Sequence, residues 1–104
     1  RRLQFVTGHD HKGDLPEGVD WQALADKNAT TVIYMPKKTL AAMSKKLQES
    51  GLPATTSALA IMDATMPTQR VVTGTIATLP QLMENAAMEG AVLVIIGSVT
   101  DTRN

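Results

Sequence analysis

Three short blocks of this 104-residue chain carry residues whose types and spacing could do chemistry. Residues 32–40 run Val32, Ile33, Tyr34 and Met35 into Pro36, Lys37, Lys38 and Thr39. Residues 63–75 open on Asp63, Ala64, Thr65, Met66 and Pro67, then pass through Arg70 to Val71, Val72, Thr73, Gly74 and Thr75. Near the start, Val6 leads into Thr7, Gly8, His9 and Asp10. In each block an apolar run stops at small or polar residues, where main-chain N–H and C=O groups are free to meet a ligand. Gly8 would let backbone come close to whatever lies beside it. One possibility is that His9, Asp10 and His11 ligate a divalent ion. Another is a histidine that merely caps its loop. Two histidines in a Gly-rich loop with no cysteine form a poor metal set, and no metal is expected. Arg70 could tie its turn to Asp63 or reach a ligand carboxylate, and the tie is the favoured reading. No phosphate-binding Gly-rich loop and no nucleophilic triad can be assembled, which removes nucleotide hydrolysis and dehydrogenase chemistry.

The elements that must position these blocks follow from patterning. Apolar strand-like runs alternate with helix-like spacing, which argues an α/β chain. Strands are expected over residues 3–6, 30–35, 57–62, 69–76 and 91–96. The run from Ala58 to Met62 is unbroken and reads as covered on both faces. Alternation of Val and Thr in 69–76 reads as one exposed side. Asp20 should cap a short helix carrying Trp21, Leu24 and Ala25. Pro36 is expected at the entry of a helix with Leu40, Met43 and Leu47 on one face, ending near Gly51. Thr78 should cap another helix, opened by Pro80, burying Leu79, Leu82, Met83 and Ala86 and stopping by Gly90. The connections are too short for every one to be a crossover, so a mixed sheet of about five strands with helices on its faces is expected.

Composition narrows the classes. With 43% hydrophobic and 19% charged residues the chain can bury a core, which aliphatic residues and six methionines must build because aromatics are few. Ten basic residues balance ten acidic ones, so the electrostatic footprint of a nucleic-acid binder is missing. The pairs Lys37-Lys38 and Lys45-Lys46 read as solvated surface. No apolar run approaches the roughly eighteen residues a membrane span needs. The lack of cysteine is compatible with the cytoplasm. A start at Arg1-Arg2-Leu3, with neither initiator Met nor signal segment, reads as a cut inside a longer protein.

On the three blocks named above, the chain resembles the C-terminal half of the tetrapyrrole methylases, most closely their uroporphyrinogen-III C-methyltransferase branch. The resemblance implies that residues 1–104 form the C-terminal domain, with the N-terminal domain lying outside this chain. It implies S-adenosylmethionine as methyl donor, a tetrapyrrole as substrate, and a homodimer in the full-length protein. Main-chain groups at Met35, Ala64 and Val92 would then meet the adenine edge, and Thr7, Gly8 and His9 would face the tetrapyrrole. No catalytic residue is assigned, because the group that handles the ring proton is expected in the other half. The chain departs from the family at Pro36, where Gly commonly follows the Met, and at Ala91, commonly Pro. Proline removes an amide and fixes φ, so any contact needing that N–H is lost. The alternatives are another branch of the superfamily, such as a precorrin methyltransferase, diphthine synthase or ribosomal-RNA methyltransferase, or an α/β ligand-binding module without catalysis. The run from Gln69 to Thr75 favours the uroporphyrinogen branch, with sirohaem or cobalamin synthesis as its pathway.

Overall fold

A computed structural model describes residues 2–7, 20–26, 28–63, 66–86 and 91–97. In chain order these form β1 (Arg2–Thr7), α1 (Trp21–Leu24), β2 (Ala29–Pro36), a 3-10 turn (Lys37–Thr39), α2 (Leu40–Glu49), β3 (Ser57–Met62), β4 (Arg70–Thr75), α3 (Leu79–Asn85) and β5 (Ala91–Ile96). The five strands make one mixed sheet in the order β1-β2-β5-β3-β4. β1 and β2 pair in parallel, and every other adjacent pair is antiparallel. The α/β architecture expected from the pattern is therefore present.

Local chemistry explains most boundaries. Asp20 caps α1, its Oδ1 accepting from the Ala23 amide at 3.0 Å. α2 ends in a Schellman motif: the Leu52 amide donates to the Leu47 carbonyl at 3.0 Å and Gly51 to Gln48 at 3.1 Å. Gly51 supplies the positive φ of 111° that this closure needs, and Leu47 and Leu52 are both buried beneath it. Gly97, at φ 131°, crosses so close to β2 that a Cβ would stand 2.6 Å from the Ala29 carbonyl oxygen.

Two boundaries and one burial pattern differ from expectation. Pro36 finishes β2 and does not open α2, because the 3-10 turn of Lys37–Thr39 intervenes. Proline suits a strand end where its missing N–H is not needed by the ladder. Thr78 is the N-cap residue of α3, yet it makes no side-chain cap bond. Its backbone is already right-handed helical, and its Oγ accepts from the Thr75 amide at 2.9 Å, closing the turn after β4 instead. A side-chain cap normally requires extended backbone at this position. The run 57–62 alternates half-buried and buried, with Ala58, Ala60 and Met62 in the core and Ser57, Leu59 and Ile61 half-exposed. Among the described residues, all three helices contribute to a single core on one face, so the apolar run lacks a second cover.

That core joins Leu24, Leu40, Met43, Leu47, Leu79 and Met83 from the helices to Ile33, Ala58, Ala60, Val92, Val94 and Ile96 from the strands. Burying a side chain of this size contributes about 1.5–3 kcal/mol each. Small Ala58 and Ala60 let the helices come close to the central strands. Ser44, fully enclosed on α2, donates to the Ile76 carbonyl at 2.6 Å and fastens α2 to the segment after β4. On β1, the Gln4 amide nitrogen reaches the Ala23 carbonyl at 3.2 Å and Thr31 Oγ at 3.1 Å, tying strand, helix and sheet together.

Candidate functional site

Strand directions decide which blocks meet. β1, β2 and β3 run one way, and β4 and β5 run the other. The C-terminal ends of the first three therefore share one end of the sheet with the N-terminal ends of the last two. Along that end lie Thr7, then Met35 and Pro36, then Ala91 and Val92, then Met62 and Asp63, then Arg70. In open α/β sheets ligands sit outside such strand ends, where directional main-chain groups are exposed.

Thr7, which the sequence assigned to the tetrapyrrole side, is the last residue of β1 and pairs in register with Tyr34. Met35 and Val92, assigned to the adenine, stand directly opposite each other on β2 and β5, although they are far apart in the chain. Val92 buries its side chain in the core, at 1% exposure, so only its main chain could serve a ligand. Gly8, His9 and Ala64 lie outside the described residues, as does the suggested metal set of His9, Asp10 and His11. Among the described residues no three His, Cys, Asp or Glu side chains gather where they could hold a metal ion.

The turn joining β3 to β4 holds what sequence reading missed. Asp63 follows β3 with φ 52°, the one non-glycine of positive φ among the described residues. Its carbonyl accepts from the Met66 amide at 3.0 Å, and the Met66 carbonyl accepts from the Gln69 amide at 2.9 Å. Asp63 Oδ2 accepts from Thr68 Oγ1 at 2.9 Å. The expected tie between Arg70 and Asp63 is thus replaced by a hydroxyl within the turn. Arg70 pairs with Met62 across the hairpin and is exposed, which leaves its guanidinium in solvent at the strand-end row. The available signal was an Asp directly after an apolar run, a residue that tolerates left-handed backbone and bonds its own turn.

On the helical layer, Lys38, Leu40, Ala41, Pro80 and Glu84 line an open cleft of about 90 Å³. That is well below the roughly 300–1,000 Å³ of small-molecule pockets. Among the described residues the strand-end row is one wall, and a ligand the size of a nucleoside would need a facing surface beyond it.

Comparison with known proteins gives the row its context. Residues 2–80 match the family model of the Tetrapyrrole (Corrin/Porphyrin) Methylases. Siroheme synthase of Thiobacillus denitrificans is 40% identical over 101 residues, covering 97% of this chain and 21% of that protein. The chain therefore spans about a fifth of the length of the curated relatives it matches. Among solved structures, uroporphyrin-III C-methyl transferase from Thermus thermophilus, complexed with S-adenyl homocysteine, aligns at TM-score 0.77 and 21% identity, over 95% of this chain and 42% of that one. A cobalt precorrin-4 methyltransferase of cobalamin biosynthesis aligns at TM-score 0.79 and 16% identity, over 93% and 40%. Both structural likenesses speak for the fold, and the family model spans β1 through the start of α3, including the turn after β3. With residues 2–80 matched by that model, and with 40% identity to a siroheme synthase over 97% of its own length, the chain belongs to the tetrapyrrole (corrin/porphyrin) methylase family.

Proposed function

We propose that this chain forms one wall of the active site of an S-adenosylmethionine-dependent uroporphyrinogen-III C-methyltransferase serving sirohaem synthesis in the cytoplasm. The observation that carries the reading is the convergence of Thr7, Met35, Val92, Met62 and Arg70 on one end of the sheet. S-adenosylmethionine would supply an electrophilic sulfonium methyl group for transfer to a pyrrole carbon. The chain's own part is to bind and orient. Main-chain groups at Met35, Ala64 and Val92 offer rigid partners to the adenine edge, and the Thr7 end of β1 serves the tetrapyrrole side together with Gly8 and His9. Alignment of this kind can contribute several kcal/mol, on the order of the effects ascribed to proximity. The deprotonating group belongs to the facing half, and cobalamin synthesis is the alternative destination of the product.

The test is Ala64→Leu in the full-length protein. A bulky side chain beside the adenine should raise the dissociation constant for S-adenosylhomocysteine at least tenfold, about 1.4 kcal/mol, with little change in melting temperature without ligand. Unchanged affinity with a large loss of stability would make Ala64 a packing residue and remove the adenine assignment.

The reading extends to a homodimer through the sheet face that, among the described residues, the helices leave uncovered. Val32, Tyr34, Leu59, Ile61, Leu93 and Ile95 share that face, and no position in register with them carries a charge. Tyr34 is 54% exposed and Val71, on the same face, 50%. Five strands about 4.8 Å apart and roughly 18 Å long present on the order of 400 Å² of flat surface, within the range where apolar patches mark interfaces. A second copy would bury it by face-to-face sheet packing. Tyr34→Glu combined with Val71→Lys should halve the mass of the full-length protein measured by light scattering, and an unchanged dimer mass would reject this face.

A further inference from the structure

We infer that the main-chain N–H and C=O of Ala91 recognise the adenine edge, the N–H donating to a ring nitrogen and the C=O accepting from the neighbouring amino group. The inference deepens the proposed function and rests on it, since it takes the strand-end row as the wall beside the cofactor.

Hydrogen-bond phase decides which main-chain groups of the row are already spent. In an antiparallel pair, opposed residues alternate between those that exchange both N–H···O=C bonds and those that exchange none. Two observations fix the phase on β5. The Gly97 amide donates to the Ser57 carbonyl at 2.9 Å, so Gly97 faces β3, and with it, at steps of two, Ile95, Leu93 and Ala91. Pro36 stands opposite Ala91 and has no N–H to exchange, so that pair is of the unbonded kind. The bonded pairs between β2 and β5 are then Thr31 with Ile96, Ile33 with Val94 and Met35 with Val92. Met35 and Val92 satisfy each other: both amides are spent, and what they keep for a ligand is the second lone pair of each carbonyl. Ala91 differs. Its N–H and C=O point away from β2 toward the end of β3, and the ladder between β3 and β5 closes with Ile61 opposite Leu93. The next partner in phase would be Asp63, which has left the strand at φ 52° and whose carbonyl accepts from the Met66 amide at 3.0 Å. Ala91 therefore carries a donor and an acceptor side by side, taken up by neither ladder, between Met35 and the end of β3 in the strand-end row. Adenine presents the complement, an amino donor beside a ring-nitrogen acceptor. Main-chain groups held in a sheet are aimed before the ligand arrives, which lowers the ordering cost of binding.

The test uses the full-length protein and S-adenosylhomocysteine as probe, with calorimetric affinity and melting temperature without ligand read together. Ala91→Pro removes the N–H alone, at the first residue of a strand, where proline is tolerated. It should weaken binding about fivefold or more, the weight of one hydrogen bond, with the melting temperature nearly unchanged. Ala91→Gly, which keeps the N–H, should bind within about twofold of the unaltered protein. The 1-deaza and 7-deaza analogues of the probe each replace one ring nitrogen near the amino group by C–H. One of them should bind the unaltered protein about fivefold more weakly, and Ala91→Pro should show no further loss with that analogue, because both changes remove the same bond. Full affinity in Ala91→Pro overturns the inference, as does full affinity of the unaltered protein for both analogues. So do losses that multiply between variant and analogue, whatever the melting temperature of the variant. A loss of affinity and stability shared by Ala91→Gly makes position 91 structural and overturns it too. Ala64→Leu in the same series separates the two readings. If it blocks binding while Ala91→Pro does not, only the Ala91 contact falls; if the unaltered protein does not bind the probe, the proposed function falls with it.

Discussion

Gly97 and Gly51 both have positive φ, but for different reasons, and substitution should separate them. At Gly97 an added Cβ would lie 2.6 Å from the Ala29 carbonyl oxygen and 3.2 Å from Thr30 Cα, with backbone on both sides and nothing able to yield. Gly51 has open space around it and would suffer only the strain of its left-handed backbone. Gly51→Ala should therefore cost about 1 kcal/mol, and Gly97→Ala several times that. Urea denaturation of the two variants, read as the shift in midpoint, measures the difference; equal shifts would contradict the close approach at Gly97. Ser44 presents a buried hydroxyl that donates across the core to the Ile76 carbonyl. Ser44→Ala leaves that carbonyl with one partner fewer, at about 1–3 kcal/mol of stability. Ser44→Thr retains the donor while adding a methyl to a packed site, so the two variants together distinguish hydrogen bonding from volume.

At the scale of elements, α2 is the helix on which the core depends. Leu40, Met43 and Leu47 are all at 1% exposure or less, and Ser44 between them bonds to the segment after β4. Met43→Ala is expected to cost about 2–5 kcal/mol, the range for a long side chain removed from a packed core. The opposite surface of the same helix carries Lys45 and Lys46, both exposed, and their replacement by Gln should shift thermal unfolding by less than about 0.5 kcal/mol. β4 behaves differently, being an edge strand with Arg70, Val71 and Thr73 exposed. Its turn closures are local, so the hairpin can keep its shape while the edge remains free to meet another surface.

For the whole molecule, one wall of a site binds poorly on its own. If the proposed function holds, the isolated chain should bind S-adenosylhomocysteine far more weakly than the full-length protein, because a site formed between two halves loses most of its walls when one is removed. Calorimetry giving sub-micromolar affinity for the isolated chain would show that the site is complete without a second half. Methyl transfer to uroporphyrinogen III should likewise require the full-length protein. Metal should be irrelevant to folding. The melting temperature is expected to be the same with and without a chelator, and stoichiometric zinc by elemental analysis would reverse that expectation and return attention to His9 and His11.

The amino-acid sequence by itself determined the five strands, the three helices and part of their end chemistry. The Asp20 cap, the Gly51 helix end and the apolar runs at 57–62 and 91–96 are signals written within a few residues of where they act. The family was legible for the same reason, its motifs being contiguous blocks at strand ends. Tertiary structure alone decided that β5 inserts between β2 and β3, and so that Met35 faces Val92. Pairing across so long a separation depends on which faces can be buried together, and no local pattern encodes it. The same holds for the one-sided helical cover, which makes a continuous apolar run alternate in burial. It holds also for the choice of Thr68 over Arg70 as partner of Asp63. A left-handed residue at the end of β3 turns its carboxylate back into its own loop, and only the completed hairpin shows which side chain is there to meet it.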